Sequence, residues 1–166
     1  ARLRFVDHRG ELAGERMKLG LMIHDPEEDH DCFSDSTFAS HYFDALGIRN
    51  AYVGRYRRVD GSVVQGPSVS DLVKAKSAEV DTEMRTKLAA TLDAAGEMYD
   101  RGIMIESYDQ MIGEGNDEGN AVVQKVVDAL LIISRDPKVK AILVNIFGGM
   151  ARVDVIAEGI IQAQRK

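Results

Sequence analysis

A mainly α-helical fold is predicted by three features of this chain. Apolar residues recur at three and four residues through several long stretches, the stretches are separated by Gly, Asp, Ser and Pro, and only one place, around Asp60-Gly61, signals a hairpin. Beyond Pro137 the character changes. Val139 to Phe147 is a continuous apolar run of the kind a strand covered on both faces requires, and Met150 to Gln164 reads as one more amphipathic helix. The expected architecture is a helical bundle with a small β-hairpin over residues 1–134, followed by a C-terminal β-α appendage over 135–166.

The elements follow in order. Glu11 to Ile23 places Leu12, Leu19 and Met22 near one helical face, with Glu15 and Arg16 on its flank. Asp25-Pro26 and the acids Glu27, Glu28 and Asp29 break this helix into a loop that carries His24 and His30. Ser34 or Asp35 caps a helix through Ser40 to Leu46, which Gly47 closes. Tyr52 to Val59 and Ser62 to Val64 flank Asp60-Gly61, a pair suited to a type I′ turn, and Gly66-Pro67-Ser68 ends the hairpin. Ser70 or Asp71 starts a short helix. Asp81 to Asp100 forms a long one with Met84, Leu88, Leu92 and Ala95 as its core stripe. Gly113, Gly115 and Gly119 punctuate a loop before a helix from about Asn120 to Ser134, with Val123, Val126, Val127, Leu130 and Leu131 apolar.

Composition limits the function. The 166 residues suffice for a real core, and a net charge of −6 argues against a nucleic-acid binder that works by neutralising phosphates. No run approaches the roughly 20 apolar residues of a membrane span, and Ala1 does not open a secretory leader. Cys32 is the single cysteine, so there is neither an intrachain disulfide nor a thiolate cluster.

Several constellations can carry chemistry. Five carboxylates and His30 lie between Glu27 and Asp35, oxygen and imidazole donors of the type that hold hard or borderline cations; a solvated acidic loop is the competing reading. Glu15-Arg16 is either a pair that orients a site or an ion pair within the bundle. The Gly113–Gly119 loop lacks the Lys-Ser/Thr of a P-loop and reads as helix punctuation. Gly148-Gly149 sits between the predicted strand and its helix. Free amides there favour an anion if neighbouring strands exist, and otherwise the glycines serve a tight turn.

The segments LAGERMKLGLM, EEDHDCFSDST, DALGIRNAYVGRYRRVDGSVVQGPSVSDLV and YDQMIGEGNDEGNAVVQKVVDAL resemble the C-terminal half of imelysin-family proteins, over about Glu11 to Leu130. The resemblance implies paired helical bundles, a family first described as metallopeptidases, iron or another divalent metal as cofactor, and a bacterial periplasmic or envelope location. It implies His30, Glu15 and Asp35 as metal donors, with Arg16, Ser34 and Thr37 lining the same site. The family's Gly-x-His-x-x-Glu motif is absent here. The histidine that usually follows the threonine is also displaced: Phe38 stands after Thr37, and His41 comes three residues later. The resemblance therefore implies a non-catalytic binding module completed by a missing N-terminal bundle; the alternative is a metallopeptidase half-site.

The tail, IISRDPKVKAILVNIFGGMARVDVIAEGII, is similar to the β subunit of succinyl-CoA synthetase. That similarity implies an anion-facing edge at Asn145, Gly148, Gly149 and Met150, and a further alternative in which the chain is a ligase-like fragment. Two families in one chain suggest a chimera joined near 132–137. The apolar ribbon 139–147 is expected to pair with another strand, including that of a second copy.

Overall fold

The computed structural model describes residues 15–135, with side chains from Met17 to Ala129. The predicted appendage over 135–166, its strand 139–147 and the Asn145 to Met150 turn lie outside the described residues. In chain order the elements are α1 (Glu15–Ile23), a 3-10 turn (Pro26–Glu28), α2 (Thr37–Val53), β1 (Arg55–Arg57), β2 (Val63–Gln65), α3 (Val69–Lys76), α4 (Ala78–Met104), α5 (Tyr108–Ile112) and α6 (Asp117–Arg135). The fold is mainly helical with one small antiparallel hairpin, as the patterning predicts.

Helix α4 is the central beam, with α2 and α6 packed along it and α3 against its first turns. Its buried residues, Leu88, Thr91, Ala95 and Met98, follow a three-and-four spacing that brings Gly102 onto the same stripe. There the bare Cα matters, because a Cβ built on Gly102 would land inside the Phe38 ring. Phe38 thus seats α2 directly on the α4 backbone, and its ring meets Tyr99 edge-on at 5.9 Å. Met84 and Leu92 of the predicted stripe are only half-buried, since the contact face turns toward Thr91 and Met98.

Three local expectations are corrected. Helix α2 runs through Gly47 and stops at Gly54, whose left-handed φ of 63° forms the C-cap; a Cβ at Gly54 would sit 2.7 Å from the Gly66 carbonyl. The hairpin turn is not type I′, because Gly61 is left-handed (φ 83°) while Asp60 is not. Instead the Gly61 amide donates to the Arg58 carbonyl and the Arg58 amide to the Ser62 carbonyl, a three-residue loop ending on a left-handed glycine. In α1 the buried face is Met17, Gly20 and Leu21, whereas Leu19 and Met22 are exposed. Gly20 decides this, since a Cβ there would come within 3.1 Å of both Glu28 and Ile112.

Two polar networks hold the frame. Ser68 and Asp71 form a capping box on α3. Buried Asp81 on α4 accepts from the Tyr52 hydroxyl at 2.9 Å, from Arg85 Nε at 3.0 Å and from Ser70 Oγ, which ties α2, α3 and α4 together. Those donors, Ser70 first, hold the Asp81 carboxyl below the usual carboxylate range. Burial and the same carboxylate push the Tyr52 phenol up to about 12. The glycine loop closes on itself: Asn116 Oδ1 takes the Gly119 amide at 2.9 Å, and Asn120 donates to the Met111 and Asn116 carbonyls.

Candidate functional site

The loop between α1 and α2 folds back over the start of α2 because its acids find donors there. Asp29, almost fully buried at 3% exposure, accepts through Oδ1 from the Thr37 hydroxyl and from the Asp31 amide. The Asp31 amide also reaches Thr37 Oγ1 at 3.0 Å, and the Asp31 carboxylate takes the Ser40 hydroxyl. A carboxylate over the first turn of a helix is favoured by the amides and dipole there. The other end of the loop is anchored by His24, whose Nδ1–H donates to the Ile112 carbonyl at 2.7 Å. His24 takes a left-handed φ of 52° to do so.

These anchors gather a compact polar cluster inside the bundle. The His30 and His41 rings meet at 4.9 Å, and His41 meets the Tyr108 ring at 5.7 Å, both edge-on. Thr37, His41 and Tyr108 are buried. Asp29 Oδ2, His30 Nδ1 and the Tyr108 hydroxyl are buried without a hydrogen-bond partner. Burial first, then the Asp29 and Glu28 carboxylates, pushes the Tyr108 phenol well above its ordinary value, so it remains a neutral donor. The cluster therefore presents a carboxylate oxygen, an imidazole nitrogen and a phenolic hydroxyl in a water-poor setting, which suits a small polar ligand.

The sequence-predicted residues are distributed unevenly around this cluster. His30 and Thr37 belong to it. Ser34 and Asp35 are exposed, Asp35 in a left-handed turn, and the loop reaches the interior through Asp29 instead. Glu15 and Arg16 lie in α1 with their side chains outside the described residues, and Asn145, Gly148, Gly149 and Met150 fall wholly outside the described residues. The sequence places Asp29 among the five carboxylates of the loop, but does not single out His41 or Tyr108 as site residues. A signal existed for His41, which stands one turn after Thr37 on the same helical face, a position that spacing alone reveals. For Tyr108, at the start of the five-residue α5, no local pattern points to a site.

With this geometry in place, comparison with known proteins gives two kinds of match. Curated relatives include the ADP-forming succinate–CoA ligase subunit beta of Paracoccus denitrificans, Cereibacter sphaeroides and Thiobacillus denitrificans, each 58% identical over 48 residues. The match takes in 29% of this chain and only 12% of the length of those relatives. It also overlaps what precedes the tail, because residues 135–166 are too few to hold 48. The family model described as Imelysin matches residues 5–134, which contain the whole buried cluster and all the described helices except the last residue of α6. The chain belongs to the imelysin family.

Proposed function

We propose that this chain is the binding module of an iron-associated bacterial envelope protein, not catalytic by itself, with its half-site completed by a second helical bundle. The observation that carries this reading is the cluster of buried, unpaired polar atoms on Asp29, His30 and Tyr108. Leaving a buried donor or acceptor unsatisfied costs about 1–3 kcal/mol, so a protein that keeps several of them gains when a ligand that pairs with them arrives. Family membership supports the envelope assignment, and among the described residues no helix is long and apolar enough to cross a membrane.

The described side chains alone do not fit a metal cage, since no three His, Cys, Asp or Glu groups among them converge. A metal held here takes Asp29 and His30 together with donors from elsewhere, Glu15 on α1 among them; Asp35 would have to leave its exposed turn to join them. The missing Gly-x-His-x-x-Glu motif supports a module that binds without catalysing. The test is titration of the metal-stripped protein with Fe(II), Fe(III) and Zn(II), repeated with His30→Ala, Asp29→Asn and Glu15→Ala. Stoichiometric binding that is lost in these variants is the expected result. No binding by the unaltered chain at micromolar metal overturns the metal assignment.

The tail has its own reading, favoured by the 58% identity to the ligase subunit. In it, Asn145, Gly148, Gly149 and Met150 form an anion-facing strand-to-helix turn, the arrangement in which free amides and a helix dipole attract phosphate.

A further inference from the structure

Away from the cluster, the β1–β2 hairpin departs from the charge and hydropathy of the rest of the molecule. Every residue of both strands is exposed. The register pairs Tyr56 with Val64 and Arg57 with Val63, which places Tyr56 and Val64 on one face and Arg55, Arg57 and Val63 on the other. Val59 stands at the tip of the turn, fully exposed at 104%. Between Arg55 and Gln65 there are three guanidinium groups and a single carboxylate, in a chain whose net charge is −6. That carboxylate, Asp60, is occupied by the Ser62 amide at 2.8 Å and the Ser62 hydroxyl at 2.6 Å. None of Arg55, Arg57 and Arg58 forms an ion pair among the described residues.

A two-stranded hairpin this short is marginal in water, and Tyr56, Val59, Val63 and Val64 contribute little to folding where they stand. Their arrangement has the shape of an anchor. The loop at its end is Val59-Asp60-Gly61, with the Asp60 carboxylate engaged by Ser62 and the valine left exposed, and the flanking arginines carry long apolar stems beneath charged heads. An exposed valine with basic flanks matches the layering of a bilayer surface, where phosphates lie above hydrocarbon.

We propose that the hairpin docks on the surface of an anionic phospholipid bilayer, with Val59 entering the headgroup region and Arg55, Arg57 and Arg58 facing the lipid phosphates. Each basic residue near such a surface strengthens partitioning about five-fold, so the three together supply roughly a hundredfold.

Because the chain has no tryptophan, Val59→Trp creates a single reporter at the tip. With vesicles of phosphatidylcholine and phosphatidylglycerol in roughly equal parts, its emission should shift to the blue and the protein should sediment with the lipid. Both effects should vanish on pure phosphatidylcholine, and should fade as salt shortens the Debye length to a few ångströms. Arg57→Glu with Arg58→Glu should abolish sedimentation while leaving the thermal melt unchanged, since both side chains are exposed. No shift on either vesicle, equal binding to neutral lipid, or capture by polyglutamate in preference to vesicles would each overturn the proposal, the last pointing to an acidic polypeptide instead.

Discussion

Replacing Tyr108 by phenylalanine should stabilise the protein and weaken whatever binds at the cluster. The ring is 1% exposed and is held edge-on by His41, contacts that Phe preserves. Only the hydroxyl is lost, and in the native fold that hydroxyl is buried without a partner. Relieving one such group returns about 1–3 kcal/mol, and removing a single oxygen leaves no cavity large enough to offset it. For a chain of this size each kcal/mol raises the melting midpoint by about 2–4 °C. The raised phenol pKa keeps the hydroxyl neutral through the ordinary working range, so the gain should not vary with pH there. Paired thermal and urea unfolding of the two proteins measures the effect, with an unchanged m-value confirming that the folded state itself is what changed. Affinity in the metal titration should fall in the same variant, the stability-for-function exchange expected where an unsatisfied group is kept for a ligand. Destabilisation by about 1 kcal/mol or more would refute the reasoning, because it would show that the hydroxyl has a native partner whose loss is felt.

Gly102→Ala should destabilise by about 1–3 kcal/mol through overpacking against Phe38, and Phe38→Leu in the same chain should recover part of that loss; a strictly additive double mutant in urea unfolding would mean that the two positions do not touch. The Asp81 network should lose strength at both ends of the pH scale. Its carboxyl has a depressed folded pKa, so its contribution is complete above the unfolded value of about 3.9 and disappears as pH falls through the folded value. Tyr52, raised to about 12, loses its contribution as pH climbs from about 10. Melting temperatures of the native chain and of Asp81→Asn should therefore converge below about pH 4, and a constant gap down to acid would count against the network.

What could be read from the residues alone follows from the range of the interactions involved. The helices of the core were legible because burial imposes a three-and-four repeat, and Leu88 and Ala95 lie where that repeat puts them. The ends of α2 were not. Gly47 looks like a stop, yet α2 continues because a tolerable glycine inside a helix costs only about 1 kcal/mol and the packing on α4 outweighs it. Gly54 is the real stop, fixed by its approach to Gly66 and Ser68 across the hairpin, a contact with no sequence signature. The site divides in the same way. Asp29, His30 and Thr37 stand in one segment of the sequence, whereas Tyr108 arrives from seventy-odd residues downstream on a five-residue helix. Local pattern cannot register such a meeting.

The two family matches also share residues. A 48-residue match that holds 132–161 must include 119–134, because the chain ends at 166. That shared segment is most of α6, where Val122, Val123, Val126 and Val127 bury one stripe of the helix against the bundle. A joint is best tolerated in such a place. An amphipathic helix asks its neighbours only for an apolar stripe of about the right volume, and volume-conserving exchanges there cost less than about 1.5 kcal/mol. A joint inside a strand would be unforgiving, since a slip of one residue turns every side chain to the opposite face. The buried cluster on Asp29, Thr37, His41 and Tyr108 is complete before the shared segment begins, and the core that encloses it closes at Val127. Binding at the cluster is therefore expected to depend on α1, α2 and α5 and on the buried valine stripe of α6 that closes the core around them.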